Sequence, residues 1–308
     1  MGKIAFVFPG QGAQSVGMGK DAYDSHAGAK AVFDKADEAL GFALTRIIFE
    51  GPDDELKITY NTQPALLATS IAYLEVLKAQ GIRPDFAAGH SLGEYSALVA
   101  AGALSFEDAV KTVRARGEFM EQAVPGGQGA MAAVLGAERE ALRELCGAIS
   151  ANIGVVELAN VNCPGQIVVS GSKAGVQAVQ EQGKEIGAKR VIPLEVSGPF
   201  HSSLMKPAAE KLAGVLAGMP MQPAAVPVVA NVTARAVTEP ERIRELLVEQ
   251  VYSPVLWEDS VAWLIEQGVD TFVEIGSGTV LAGLIKKVDK NVNIHSVNSL
   301  EAAQSLKI

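Results

Sequence analysis

Gly89-His90-Ser91-Leu92-Gly93 reads G-x-S-x-G, in surroundings that suit a serine nucleophile. An apolar run ends at Ala87-Ala88 before it, and the small and apolar stretch from Glu94 to Gly102 follows as a buried helix. Glycines on both sides let the chain turn sharply from strand into helix, leaving the serine hydroxyl exposed at the helix N-terminus. Free N–H groups and the positive end of the helix dipole there favour negative charge on an acyl oxygen. The pattern is short, however, and a serine-capped helix with glycines for close packing is written in the same letters. A serine nucleophile also needs a base, because its hydroxyl is almost wholly protonated at neutral pH. His201, in Val196-Ser197-Gly198-Pro199-Phe200-His201-Ser202-Ser203, is the candidate, standing on a Gly-Pro turn after a strand where it can reach a cleft. His90 points the other way around the tight turn and His295 falls in a terminal strand, so both read as structural, and His26 reads as a solvated helix residue. A Ser-Asp-His hydrolase would place its acid between Ser91 and His201. Asp108 falls in a helix cap, and Glu157 and Glu195 fall in strands of what reads as a separate small domain. A dyad oriented by a neutral acceptor is therefore expected.

The elements that must position these residues follow from hydrophobic patterning. With 308 residues, 48% hydrophobic and 20% charged, the chain can bury a large core and form two domains. No apolar run approaches the ~20 residues of a membrane span, and the N-terminus opens on a strand, so a cytoplasmic protein with no membrane partner is expected. A net charge of −9 argues against general nucleic-acid binding. Cys146 and Cys163 give no disulfide framework, and with four scattered histidines no metal or cofactor is expected.

The continuous apolar run 3–8 is a strand covered on both faces. Pro9-Gly10-Gln11-Gly12-Ala13-Gln14 breaks it in a loop that matches neither the Rossmann nor the Walker pattern. Its backbone N–H groups can form an oxyanion hole or a plain turn. Residues 20–40 read as one polar helix, Pro64 as the first residue of a helix reaching Gln80-Gly81, and Ser105 as the cap of a helix to about Ala123 that carries Arg114 and Arg116. Arg114 reads as a surface residue. Pro125 to Gly129 marks a domain boundary. Strand 130–135, helix 138–149, strands 155–161 and 166–170, helix 173–186 and strand 190–196 then give the β-α-β-β-α-β order of a ferredoxin-like domain. Helix 204–217, strand 226–230, helices 240–250 and 254–267, strand 271–275, helix 280–288 and strand 291–297 complete a mostly parallel sheet with helices on both faces. The expected architecture is α/β, with a large domain at 1–126 and 198–308 interrupted by a small α+β domain at 127–197.

Phe8-Pro9-Gly10-Gln11-Gly12-Ala13-Gln14, Thr62-Gln63-Pro64-Ala65, Gly89-His90-Ser91-Leu92-Gly93-Glu94-Tyr95, Arg116-Gly117, Asn162-Cys163-Pro164-Gly165-Gln166 and Gly198-Pro199-Phe200-His201-Ser202 occur in order over essentially the whole chain. Together they resemble the malonyl-CoA:acyl carrier protein transacylases of bacterial fatty acid synthesis. The resemblance implies a hydrolase-like large domain interrupted by a ferredoxin-like one, and ping-pong transfer through a malonyl-serine, without metal or cofactor. Position by position it implies Ser91 as nucleophile, His201 as base, the Gln250 carbonyl as its orienter, and the N–H groups of Gln11 and Leu92 as oxyanion hole. Arg116 would pair with the free carboxylate of the substrate, and Phe200, Gln63 and Asn162 would help to bind it. The implied partners are malonyl-CoA and acyl carrier protein, met by a monomer. Lys189-Arg190 and Lys286-Lys287 are the densest basic candidates for docking an acidic carrier. Two other classes share part of this pattern. A serine esterase or thioesterase shares elbow and base, but Arg116 and the missing acid argue against it. A silent docking scaffold would not require Ser91 and His201 together.

Overall fold

An apolar run without polar alternation suits a strand buried on both sides, and Lys3–Phe8 (β1) takes that place. The computed structural model describes residues 2–308. Its other strands are Phe86–Gly89 (β2), Gly129–Leu135 (β3), Val156–Cys163 (β4), Gln166–Ser172 (β5), Arg190–Pro193 (β6), Val228–Ala230 (β7), Arg235–Val237 (β8), Val255–Leu256 (β9), Val269–Ile275 (β10) and Asn293–Val297 (β11). A six-stranded sheet runs β11-β10-β1-β2-β7-β8, parallel except for β8, which returns along β7 at the edge. The period of two along β1 sends Phe6 and Phe8 into one core and Ala5 and Val7 into another. Leu66, Leu67 and Tyr73 of the helix Thr59–Lys78 belong to the first, and Trp257, Val261 and Leu264 of the helix Trp257–Glu266 to the second.

A five-stranded sheet runs β6-β3-β5-β4-β9. Its first four strands are antiparallel, and the helices Arg139–Asn152 and Lys173–Gln182 lie between β3 and β4 and between β5 and β6 in sequence. It has its own core, including Val134, Leu142, Ile149, Val169 and Val179. The two-residue β9 pairs with Asn160 and Val161 of β4, tying chain from beyond the small unit into its sheet. Cys146 and Cys163 are both buried and free. Among the described residues no helix is long and apolar enough to cross a membrane. The α/β class expected from the sequence is the one observed.

Several elements depart from their expected form. The helix expected over 20–40 is two, Lys20–Ser25 and Ala27–Leu40, broken where His26 turns extended at φ −133° and accepts from the Ala29 N–H through Nδ1. His26 is thus a cap, the role that asparagine or aspartate usually fills. Pro64 does not begin its helix, which starts at Thr59. A proline there leaves the carbonyl of Tyr60 without its helical donor. Arg114 Nη1 supplies one at 3.2 Å, with its guanidinium over the Tyr60 and Phe42 rings. Arg114 is therefore a helix brace rather than a free surface charge. Gly117 lets the two helices approach, since a Cβ on it would stand 2.5 Å from the Tyr60 Cα. The expected strand 190–196 ends at Pro193, which leaves Glu195 outside the sheet, and 254–267 divides into β9 and the helix Trp257–Glu266.

Candidate active site

β2 runs into the helix Gly93–Ala100 through a turn flanked by two glycines that have no room for a side chain. A Cβ on Gly89 would lie 1.9 Å from the Gly93 carbonyl, and one on Gly93 2.1 Å from the Phe8 carbonyl oxygen. Ser91, at the apex, has φ 50°, a left-handed conformation that a non-glycine residue adopts only when its surroundings impose it. Those surroundings are three side-chain hydrogen bonds to the backbone. The Ser91 N–H donates to Asn231 Oδ1 at 2.8 Å, the Ser91 carbonyl accepts from Gln250 Nε2 at 3.0 Å, and Asn231 Nδ2 donates to the Gly89 carbonyl at 2.7 Å.

His201 is likewise left-handed, with φ 58°. Its Nε2 lies 2.8 Å from Ser91 Oγ and its Nδ1 2.8 Å from the main-chain carbonyl of Gln250. A carbonyl can only accept, so Nδ1 carries the proton and the lone pair of Nε2 faces the serine. Burial, reinforced by the positive charge of Arg116 and opposed by the Gln250 carbonyl, pushes the imidazole down to about 3. At neutral pH it is therefore an unprotonated acceptor. No acid among the described residues hydrogen-bonds to it; Asp108 caps the helix Phe106–Gln122 with Ser105, and Glu157 accepts from the Ser203 N–H.

Arg116 is only 1% exposed and stands on the helix Phe106–Gln122, the helix that also carries Arg114. Nη1 donates to Gln63 Oε1 at 2.7 Å, and Nη2 donates to Gln250 Oε1 at 3.0 Å and to Ser91 Oγ at 3.1 Å. Nε has no partner among the described residues. Burial lowers its pKa, yet a guanidinium stays charged at neutral pH. A buried cation surrounded by neutral oxygens, with donor capacity unspent, is suited to receive an anion.

Gln11, Ser91, Leu92, Arg116, Phe200 and His201 line a cavity of about 120 Å³. The main-chain N–H groups of Gln11 and Leu92 have no acceptor among the described residues. The cavity shares Gln11, His90 and Asn160 with a cleft of about 480 Å³ that runs out past Asn162 and Gln166 to Leu284 on the helix Val280–Val288. Loops of the large sheet form one wall and β3, β4 and β5 the other. Asn162 does not face Ser91; its Oδ1 is 2.8 Å from His90 Nε2. Gln63 stands behind Arg116, and Phe200 is buried in the cavity wall. Lys287 reaches Gln166 Oε1 at the mouth of the cleft, whereas Lys286 donates to the carbonyls of Lys290 and Val292 and so closes the end of its own helix.

Two polar side chains at the base of the site have no role in the sequence reading. Glu94, 2% exposed, accepts from the Asn231 N–H at 3.0 Å and from Gln250 Nε2 at 2.8 Å, and burial raises it to about 7. An acid in the first turn of an otherwise apolar helix is a sequence signal for it. Asn231 offers none, because its place depends on β7 lying beside β2.

The pattern of a family described as acyl transferase domain matches residues 5–304. The malonyl CoA-acyl carrier protein transacylase of Bacillus subtilis (strain 168) is 58% identical over 311 residues, covering 100% of this chain and 98% of that one. The protein of the same name from Staphylococcus aureus (strain MRSA252) is 51% identical, over 98% and 97% of the two chains. Among solved structures, an acyl carrier protein S-malonyltransferase from Vibrio cholerae O1 biovar eltor superposes with a TM-score of 0.96 at 44% identity, over 99% and 100% of the two chains. A chain from a type II PKS acyl-carrier protein in complex with its malonyl-transacylase superposes with a TM-score of 0.95 at 42% identity, over 98% and 97%.

Proposed function

The chain belongs to the acyl transferase domain family and, within it, to the malonyl CoA-acyl carrier protein transacylases, and on that premise we propose that Ser91 carries the malonyl group between two thiols in a ping-pong reaction. The observation that carries this reading is that one hydroxyl, Ser91 Oγ, meets both His201 Nε2 and Arg116 Nη2. The first contact supplies a base, and the second is a cation 3.1 Å from the reacting atom, near enough to meet the free carboxylate of a malonyl group esterified there.

In the first half-reaction His201 Nε2 takes the Ser91 proton as Oγ attacks the thioester carbon of malonyl-CoA. The tetrahedral oxyanion is stabilised by the N–H groups of Leu92 and Gln11, which line the same cavity. The carbon–sulfur bond breaks, and coenzyme A leaves as its thiol with the proton from His201. In the second half-reaction the phosphopantetheine thiol of acyl carrier protein gives its proton to His201 and attacks the ester. Ser91 leaves as an alkoxide and recovers that proton. The Gln250 carbonyl holds the imidazole tautomer throughout and stabilises the imidazolium as it forms.

Arg116 binds the free carboxylate of the malonyl group, with Gln63 fixing the guanidinium from behind. This carboxylate also assists the base. Arg116 is one cause of the low basicity of His201, and a bound anion offsets its charge, so a substrate that carries the carboxylate makes the imidazole easier to protonate in the transition state. Phe200 limits the room beside the acyl group, and Asn162, through His90, shapes the path of the pantetheine arm. The carrier protein docks at the cleft mouth beside Lys287, with Lys189 and Arg190 on the small unit as the second basic site. The order β6-β3-β5-β4 supports reading 127–197 as a ferredoxin-like insertion between 1–126 and 198–308. The reading is of a cytoplasmic, monomeric enzyme. It is tested by incubating the protein with malonyl-CoA and measuring intact mass. A malonyl adduct that maps to Ser91 and is discharged by a pantetheine thiol faster than by water supports transfer. Discharge by water at the same rate would make the protein a thioesterase.

A further inference from the structure

We infer that Glu94 is a positioning residue for substrate selectivity, because its carboxylate joins the Ser91 carbonyl and Asn231 Oδ1 in fixing which end of the Gln250 side-chain amide faces Arg116. The inference rests on the reading that Arg116 receives the substrate carboxylate. An amide side chain has an accepting end and a donating end, and the surrounding hydrogen bonds decide between two orientations. Gln250 Nε2 faces three oxygens: Glu94 Oε2 at 2.8 Å, the Ser91 carbonyl at 3.0 Å and Asn231 Oδ1 at 3.1 Å. Each is fixed as an acceptor. The Ser91 oxygen is a main-chain carbonyl, and the Asn231 orientation is set by the Ser91 N–H on one side and the Gly89 carbonyl on the other. Glu94 Oε2 is held by the Asn231 N–H. With Nε2 committed, Oε1 is the atom presented to Arg116 Nη2. The reversed amide would press an NH2 group against a buried guanidinium, turning it from the geometry that welcomes a carboxylate.

Glu94 lines neither the cavity at Ser91 nor the cleft beyond it, so it acts through Gln250 rather than on the substrate. An oxygen acceptor at its position is what the arrangement requires. A glutamine can offer one, and so can a protonated glutamic acid that keeps its proton on Oε1. A leucine of similar volume cannot.

The test compares kcat/KM for malonyl-CoA and acetyl-CoA, with carrier protein as acceptor, in five variants. Glu94→Leu should lower the malonyl-to-acetyl ratio about tenfold, mainly through the KM for malonyl-CoA, and Glu94→Gln should keep it within about threefold of the parent. Gln250→Leu keeps the main-chain carbonyl for His201 and should reproduce the loss, so it decides the matter even if Glu94→Leu does not fold. The double variant Glu94→Leu with Gln250→Leu should add nothing to either change alone, because both remove one arrangement. A ratio unchanged in Gln250→Leu, or collapsed in Glu94→Gln, overturns the inference. Arg116→Ala separates the two readings. If it collapses the ratio while the other variants leave it intact, only the role of Glu94 is lost. If Arg116→Ala itself leaves the ratio intact, the carboxylate reading is lost.

Discussion

The base of the cleft and its mouth are built from opposite materials. At the base Ser91, Arg116, Asn231, Gln250 and Glu94 form one network in which four of the five are nearly or fully buried polar groups, each fixed by two or more partners. At the mouth Lys57 and Lys287 stand exposed beside an apolar wall that includes Leu284 and the half-exposed Val280. A desolvated, preorganised network discriminates small differences in charge, because any group left without its partner there keeps its full desolvation cost. Solvated charges on flexible stems attract from a distance and discriminate little. The difference favours the proposed division, with recognition of the acyl group at the base and capture of its carrier at the mouth.

The strongest way to break this division is to remove the nucleophile. Ser91→Ala should eliminate the acyl-enzyme seen by intact mass and lower turnover by roughly 10⁴- to 10⁶-fold, and adding His201→Ala should cost little more, since the two act as a unit. Covalent malonyl persisting in Ser91→Ala would move the nucleophile elsewhere. Next in size is Arg116→Ala. It leaves a substrate carboxylate unpaired in a buried site, costing about 2–5 kcal/mol, or roughly 30- to several-thousand-fold in malonyl transfer. Acetyl transfer should be kept or improved, and parallel losses in kcat/KM for both substrates would mean that Arg116 supports the fold alone.

The mouth should respond more gently. Lys287→Glu is expected to slow transfer to carrier protein by about threefold to tenfold at low salt and less at high salt, leaving acylation by malonyl-CoA unchanged. Lys286 is unsuitable for this test, because it closes its own helix. Equal effects on both half-reactions would place Lys287 on coenzyme A. The smallest expected change sharpens the comparison by being near zero. A histidine pushed down from 6.5 to about 3 stays neutral as the pH falls, so the acid limb of kcat/KM for malonyl-CoA should lie well below 6.5. A limb at the ordinary histidine value would mean that water reaches the imidazole and the base is not dry.

The sequence disclosed the parts of the site whose side chains carry the proposed chemistry. Ser91 and His201 are legible because each sits in a turn whose glycines or proline betray a forced backbone. Arg116 is marked only by the family resemblance, since its helix carries another arginine two positions earlier with an opposite fate. Gln250 illustrates a different limit. It touches His201 through a main-chain carbonyl, which every residue type possesses, so its letter says nothing of that role. Asn231 waits on strand order, which no local pattern encodes. In the fold, the two sheets follow from apolar runs and turns, whereas the start of the helix Thr59–Lys78 does not. Pro64 favours a helix start there, and a distant guanidinium overrides it.

The two cysteines acquire a meaning from the chemistry around them. A protein that handles thioesters risks capturing the acyl group on its own sulfur, and the thiolate is the form that would do so. Burial pushes Cys146 up to about 12 and also raises Cys163, and both side chains are buried. The reaction is thereby made chemoselective by protonation: the visiting thiols exchange, and the resident ones stay inert. Iodoacetamide should accordingly add no mass to the native protein while it consumes free coenzyme A, so a reagent lethal to the carriers would leave the protein itself unmodified.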